Sequence, residues 1–290
     1  LQIPHVIVTI NKMDLVGYDE KVYHQITEDF KAIAQKLHLN NVHYIPISAL
    51  EGDNVVNSSE KMPWYTGSAL LPLLESIDIH TSEEIQKARF QVQYVIRPQT
   101  EDLHDYRGYA GQIAGNTFRK GDKIKILPQN RDSIISSIEF HGNEVTELEA
   151  GNPAVIQIAD DIDISRGDYI VKSNEVPYIS KQHEVILCWF DEKPLNVSNR
   201  YLLQHRSKLV KAQIKGINYR MDVNTLEKET GTTKLELNQV ASVHLNTASA
   251  LVYDTFENSK FLGSAILIDE TSHKTVAALL FNEPATIETL

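Results

Sequence analysis

Residues 6–10 read Val-Ile-Val-Thr-Ile, an apolar and mostly β-branched run, and the run stops in Asn11-Lys12-Met13-Asp14. An unbroken apolar run of this length suits a strand of a parallel sheet, with the polar tip at its C-terminal edge. From residue 18 to 39 the period changes. Val22, Ile26, Phe30, Ile33 and Leu37 recur at steps of three and four, which predicts a helix with that face inward. Asp19 and Glu20 sit where they favour its dipole. A second apolar run at 42–47 ends in Ser48-Ala49-Leu50. Strand, helix, strand is a βαβ unit, so both polar tips lie on one sheet edge. Ligands of open α/β sheets bind just beyond that edge.

The residues at the first tip suit guanine. A carboxylate at Asp14 can accept from the ring N1–H and the exocyclic amine together, a donor pair that adenine lacks. The Asn11 amide can donate to N7 or O6. The stem of Lys12 can lie over the purine face while its ammonium stays in water. Four residues are a short pattern, and a strand ending in an Asx turn reads the same way.

With the second tip added, N-K-x-D followed by S-A-[KL] resembles the G domain of translation-factor GTPases, where these are the guanine-reading loops. The resemblance implies that Asn11, Lys12, Asp14, Ser48, Ala49 and Leu50 form the base site. In it the Ala49 N–H meets guanine O6 and Ser48 braces the Asp14 loop. The phosphate loop G-x-x-x-x-G-K-[ST] does not occur in the sequence, and no D-x-x-G element stands ahead of Asn11 in it. In the family both precede N-K-x-D. The expectation is therefore the C-terminal part of a G domain, beginning abruptly in a core strand at Leu1. It would hold no catalytic residue, and the chain by itself would not hydrolyse GTP. The Mg²⁺ expected in a full-length protein would find no ligands here.

Downstream, Gly52-Asp53-Asn54 and Met62-Pro63-Trp64-Tyr65-Thr66-Gly67 lead to a helix over 68–77, with Leu70, Leu71, Leu73 and Leu74 on or near its buried side. Trp64 reads as a packing anchor. The polar stretch 80–84 reads as a linker. Beyond it Phe90, Val92, Tyr94 and Ile96 alternate with Gln91, Gln93 and Val95, and short strands follow at near-regular spacing (124–126, 134–140, 154–158, 169–171). They predict a small closed barrel. Arg166-Gly167-Asp168 reads as a turn with Gly167 at a special backbone angle rather than as an adhesion signal. A second barrel is expected from residue 180, with strands at 185–190, 201–205, 209–218, 239–245 and 263–268 and a polar loop at 219–229. Cys188, the only cysteine, reads as core rather than nucleophile. The expected fold class is multidomain α/β plus all-β. It comprises part of a P-loop-type G domain (1–80) and two translation-factor-type β-barrels (86–177 and 180–290).

The charge of −11 on 290 residues argues against a nucleic-acid coat, and no apolar run nears the roughly 20 residues a membrane helix needs. One cysteine suits a reducing cytoplasm. The eleven histidines lack metal-site spacing. The loops at 48–56 and 62–65, with 93–98, 105–111 and 162–168, resemble the GTPase subunit of bacterial sulfate adenylyltransferase more closely than elongation factor 1-alpha. That resemblance implies GTP as the nucleotide. It implies GTP hydrolysis coupled to adenylyl sulfate synthesis from ATP and sulfate in sulfate assimilation. The partner would be the catalytic subunit, in a heterodimer or higher assembly, with no nucleic acid or membrane. The alternatives are an elongation factor 1-alpha-like translation GTPase and an interaction module that works without nucleotide.

Overall fold

The computed structural model describes residues 3–37, 39–78, 87–98, 106–223 and 225–284. The chain divides into two compact units, Leu1–Glu84 and Ile85–Leu290.

In the first unit β1 (Val6–Ile10) pairs in parallel with β2 (Val42–Pro46), and α1 (Glu20–Lys36) is the crossover. Asp19 caps α1, its carboxylate accepting from the Lys21 N–H at 2.8 Å. The helix turns inward on a face that keeps Phe30 of the predicted stripe but is otherwise shifted by one residue. Thr27 and Ala34 are its buried residues, whereas Ile26, Ile33 and Leu37 are exposed. Phe30 meets Tyr44 edge-on with ring centroids 6.1 Å apart and Tyr23 lies 5.2 Å from Trp64, on the same helix face as the buried Thr27 and Ala34. The helix α2 (Leu70–Ser76) is shorter than expected, and Leu71 and Leu74 are exposed rather than buried. The predicted linker at 80–84 lies outside the described residues.

The second unit carries β3 (Arg89–Ile96), β4 (Gly108–Ala114), β5 (Phe118–Arg119), β6 (Lys123–Leu127), β7 (Arg131–Phe140), β8 (Asn143–Val145), β9 (Glu147–Leu148), β10 (Pro153–Ile158) and β11 (Tyr169–Lys172). The order β10-β4-β3-β11-β6-β7 closes on itself through the β10–β7 pairing, with β8 beside β7, around a core that includes Phe90, Tyr109, Phe118 and Ile170. A bulge between Val92 and Tyr94 reverses the predicted alternation of β3. Beyond it Val95 packs on the core and Tyr94 is 67% exposed. Gly167 sits at φ +94°, and the Asp168 carboxylate accepts from the Ser165 N–H and from Gln129 Nε2, so Arg-Gly-Asp is a braced turn.

The second barrel is built from β12 (Tyr178–Trp189), β13 (Tyr201–His205), β14 (Lys208–Met221), β15 (Lys228–Glu229), β16 (Val240–Tyr253), β17 (Ser264–Asp269) and β18 (Thr275–Phe281). The order β13-β17-β18-β12-β16-β14 closes through the β13–β14 pairing. The supposed loop at 219–229 is partly strand, since Arg220 pairs with Glu229 and Met221 with Lys228. Cys188 alternates with buried Leu187 and Trp189, so it lies on the outer face of β12, half-buried, and not in the core. Burial raises its thiol pKa, which disfavours the thiolate. No helix among the described residues is long and apolar enough to cross a membrane.

Candidate functional site

The two polar tips meet. The Ile47 N–H donates to Ile10 O at 2.9 Å and the Met13 N–H donates to Ile47 O at 3.2 Å, so the ladder continues past both strands and sets their loops side by side. Met13 is buried and starts a 3-10 turn, Met13–Val16, that carries Asp14. Lys12, exposed, enters that turn at φ +66°.

Five of the six predicted residues are joined by hydrogen bonds, Lys12 through its backbone N–H. The Ser48 hydroxyl donates to Asp14 Oδ1 at 2.7 Å and accepts from the Glu51 N–H at 3.2 Å. Asn11 Oδ1 accepts from the Lys12 N–H at 2.7 Å and from the Ala49 N–H at 3.0 Å. The Ala49 N–H therefore points at the Asn11 amide in this conformation. Ser48 is fully buried, whereas Asn11, Lys12 and Ala49 are exposed and Leu50 is 85% exposed. Lys12 and Leu50 thus stand in solvent beside a pinned centre. A planar base brought to this edge would meet a carboxylate, an amide and a loop backbone within one small area.

Residues behind the loops hold them in place. Ser48 and Asp53 form a bridge in which the Ser48 N–H donates to Asp53 O at 3.1 Å. The Asp53 carboxylate accepts from the Tyr18 hydroxyl at 2.8 Å, from the Ser59 hydroxyl at 2.7 Å and from Lys61 Nζ at 3.1 Å. The Ser59 bond, then those of Tyr18 and Lys61, hold Asp53 below the usual carboxylate range against its partial burial. Asn54, 1% exposed and at φ +57°, donates from Nδ2 to Pro46 O at 2.9 Å and accepts from the Ser59 N–H at 2.7 Å. The Gly-Asp-Asn triplet was visible in the sequence. Tyr18 and Lys61 were not, because they meet Asp53 and each other only in the fold. Trp64 is an anchor as expected, its Nε1 donating to Tyr18 O at 3.1 Å.

A cleft of about 410 Å³ between α1 and β2, lined by Lys31, Ala34 and Tyr44 among others, includes none of these residues. Among the described residues no group of three or more His, Cys, Asp or Glu side chains is placed to hold a metal.

Comparison with known proteins finds relatives along nearly the whole chain. Residues 182–280 match the family model described as GTP-eEF1A C-terminal domain-like. A protein of Mycobacterium tuberculosis named bifunctional enzyme CysN/CysC is 40% identical over 96% of this chain and 45% of its own length. Proteins named sulfate adenylyltransferase subunit 1 are 37% identical in Shewanella woodyi and 40% identical in a Sulfurovum species, over 99% and 96% of this chain. The match spans 60% and 59% of those two relatives' own lengths, so the chain covers about half of the curated relatives it matches. Among solved structures, Sup35 complexed with GMPPNP aligns over 96% of this chain and 68% of its own, with a TM-score of 0.60 at 18% identity. The Ski7 GTPase-like domain of S. cerevisiae bound to GTP aligns over 97% of this chain and 65% of its own, with a TM-score of 0.53 at 18% identity. At that identity the two structures establish the fold. The fold is of translation-factor GTPase type, with two closed barrels after a βαβ unit, and along nearly its whole length the chain is homologous to proteins named sulfate adenylyltransferase subunit 1.

Proposed function

We propose that this chain supplies the base-reading loops and the two barrels of a GTP-binding subunit that drives adenylyl sulfate synthesis. Support comes from the meeting of Asn11 with Ala49 and of Asp14 with Ser48 at one sheet edge, in a chain 36–40% identical to proteins named for that enzyme. In this reading Asp14 accepts from guanine N1–H and the exocyclic amine. Ser48 fixes the carboxylate that does so. Asn11 faces N7 or O6, and the stem of Lys12 covers one face of the ring. The Ala49 N–H passes from Asn11 to O6 as the base enters. The sequence has no phosphate-cradling glycine loop, so these residues select the base and take no part in the cleavage step. Mg²⁺ belongs with the phosphates and draws no ligand from this set.

Forming adenylyl sulfate and pyrophosphate from ATP and sulfate is strongly uphill. A subunit whose conformation follows its nucleotide can link GTP hydrolysis to that step in a catalytic partner. The barrels offer the partner surface, in a heterodimer or a higher assembly in the cytoplasm.

The test is GTP hydrolysis by the full-length gene product, mixed with its candidate adenylyltransferase subunit. Hydrolysis is expected to rise when ATP and sulfate are both present and to stay low with either alone. The elongation-factor-like fold of the second barrel keeps a translational role as the other reading. Hydrolysis indifferent to sulfate and stimulated by ribosomes would establish that one. Tight partner binding with no nucleotide dependence would reduce the chain to an interaction module.

A further inference from the structure

Tyr18, 35 positions away, and the nearby Ser59 and Lys61 converge on the Asp53 carboxylate behind the base-reading loops. Tyr18 follows the 3-10 turn that carries Asp14, and its N–H donates to Met13 O at 2.8 Å. Its hydroxyl reaches Asp53 Oδ2 across 35 positions. Asp53 in turn holds Ser48 through the backbone bridge, and Ser48 holds Asp14. The 59–61 segment adds the Ser59 hydroxyl on Asp53 Oδ1 and Lys61, whose ammonium lies 3.1 Å from both Asp53 Oδ2 and the Tyr18 hydroxyl and 5.1 Å from the Tyr18 ring centroid. The result is a closed loop of contacts running Asp14, Ser48, Asp53, Tyr18 and back into the Asp14 turn. Asp53 is only 12% exposed at its side chain, so its bonds are little weakened by water.

We propose that Asp53, held by Tyr18, Ser59 and Lys61, is a positioning residue for base selection, which sets the distance between the Asp14 and Ala49 loops without touching the base. The inference rests on the guanine reading of Asn11, Asp14, Ser48 and Ala49. Its physical content is pre-organisation. A carboxylate that must meet two donors of a planar ring loses selectivity when its loop shifts by a fraction of an ångström. The guanine amine is then the contact to suffer first, because it needs the second carboxylate oxygen in line.

The test uses the full-length gene product and compares equilibrium binding of GDP with that of inosine diphosphate, which lacks only the exocyclic amine. Tyr18→Phe removes one hydroxyl and keeps the ring under Lys61. Asp53→Asn removes the charge at nearly constant shape. Both are expected to weaken GDP roughly tenfold, the size of one lost hydrogen bond to a charged acceptor. They are also expected to narrow the GDP preference over inosine diphosphate, with the melting profile of Tyr18→Phe close to that of the parent. A structural role alone would lower both affinities together and leave their ratio intact, and that result overturns the proposal, as does an unchanged GDP affinity. Asp14→Asn is the reference arm. It should lose GDP and gain xanthosine diphosphate, whose C2 oxygen accepts from an amide. If that variant shifts as expected while Tyr18→Phe and Asp53→Asn keep the parental ratio, the positioning role fails and the guanine site stands. An Asp14→Asn protein with unchanged GDP affinity overturns the site and the positioning role together.

Discussion

Arg89 is the residue with most at stake outside the loops. Its side chain is 1% exposed, and its guanidinium makes two bonds to Asp254, Nε to Oδ2 at 2.8 Å and a terminal nitrogen to Oδ1 at 3.0 Å. It also donates to Ala88 O at 3.0 Å and Glu175 O at 2.6 Å. Asp254 belongs to the second barrel and Arg89 to the first, so this fork crosses between them. Removing one member of such a pair strands a charge in a dry place, at a cost of about 3–5 kcal/mol. Arg89→Ala is therefore expected to lower the urea midpoint sharply, and Arg89→Ala combined with Asp254→Ala to cost less than the two single changes summed. A double-mutant cycle in urea measures both. At this scale sequence legibility was uneven. Asn11, Asp14 and Ser48 stand out because each ends an apolar run, a signal contained in a few neighbouring positions. Arg89 and Tyr18 stand out only in the fold, because the carboxylates they meet lie 165 and 35 positions away.

Among the elements, strands were easier to place than faces. The runs at 6–10, 42–47, 154–158 and 201–205 became strands close to where their apolar patterns put them. The inward face of α1 kept Phe30 of the predicted stripe but turned Ile26, Ile33 and Leu37 out, with Phe30 meeting Tyr44 on β2 and Tyr23 meeting Trp64. On β3 one bulge residue exchanged inside for outside, as any single insertion in a period of two must. The same crossing explains Gly111 on β4. A Cβ there would lie 2.3 Å from Gln91 O and 2.9 Å from the Phe90 ring, so β3 and β4 approach too closely for any side chain. Gly111→Ala is expected to cost more than 2 kcal/mol, beyond the roughly ±0.5 kcal/mol of a neutral site, and thermal unfolding should show the loss. The same change at Gly142, where nothing lies within 4 Å, serves as a control for backbone strain alone, since its φ is +80°.

For the whole molecule, each barrel is sealed by a pairing between strands distant in sequence, β10 with β7 and β13 with β14, and the two barrels share a small core of Leu127, Tyr169, Val171, Val252 and Leu262. Acid should loosen the second barrel first. His183 and His205 are buried beside Tyr253 and Phe281, and burial lowers both to about 4. The unfolded chain binds protons at both sites near pH 6.5 while the folded one does not, so their contribution is complete above that pH and drains as pH falls towards 4. At about 1.4 kcal/mol per pH unit the loss is roughly 3 kcal/mol for each site. Urea midpoints measured from pH 7 to 4.5 should fall, and exchanging both histidines for glutamine should flatten that part of the slope. By itself the sequence determined the two architectures and the residues at the sheet edge, because hydrophobic period and chain-local polar tips are encoded within a few positions. Only the tertiary structure decided which helix face turns inward, which strands close each barrel, and that Tyr18, Asp53 and Lys61 converge behind Asp14. Those depend on which distant side chains arrive at the same place, and no period in the chain records that.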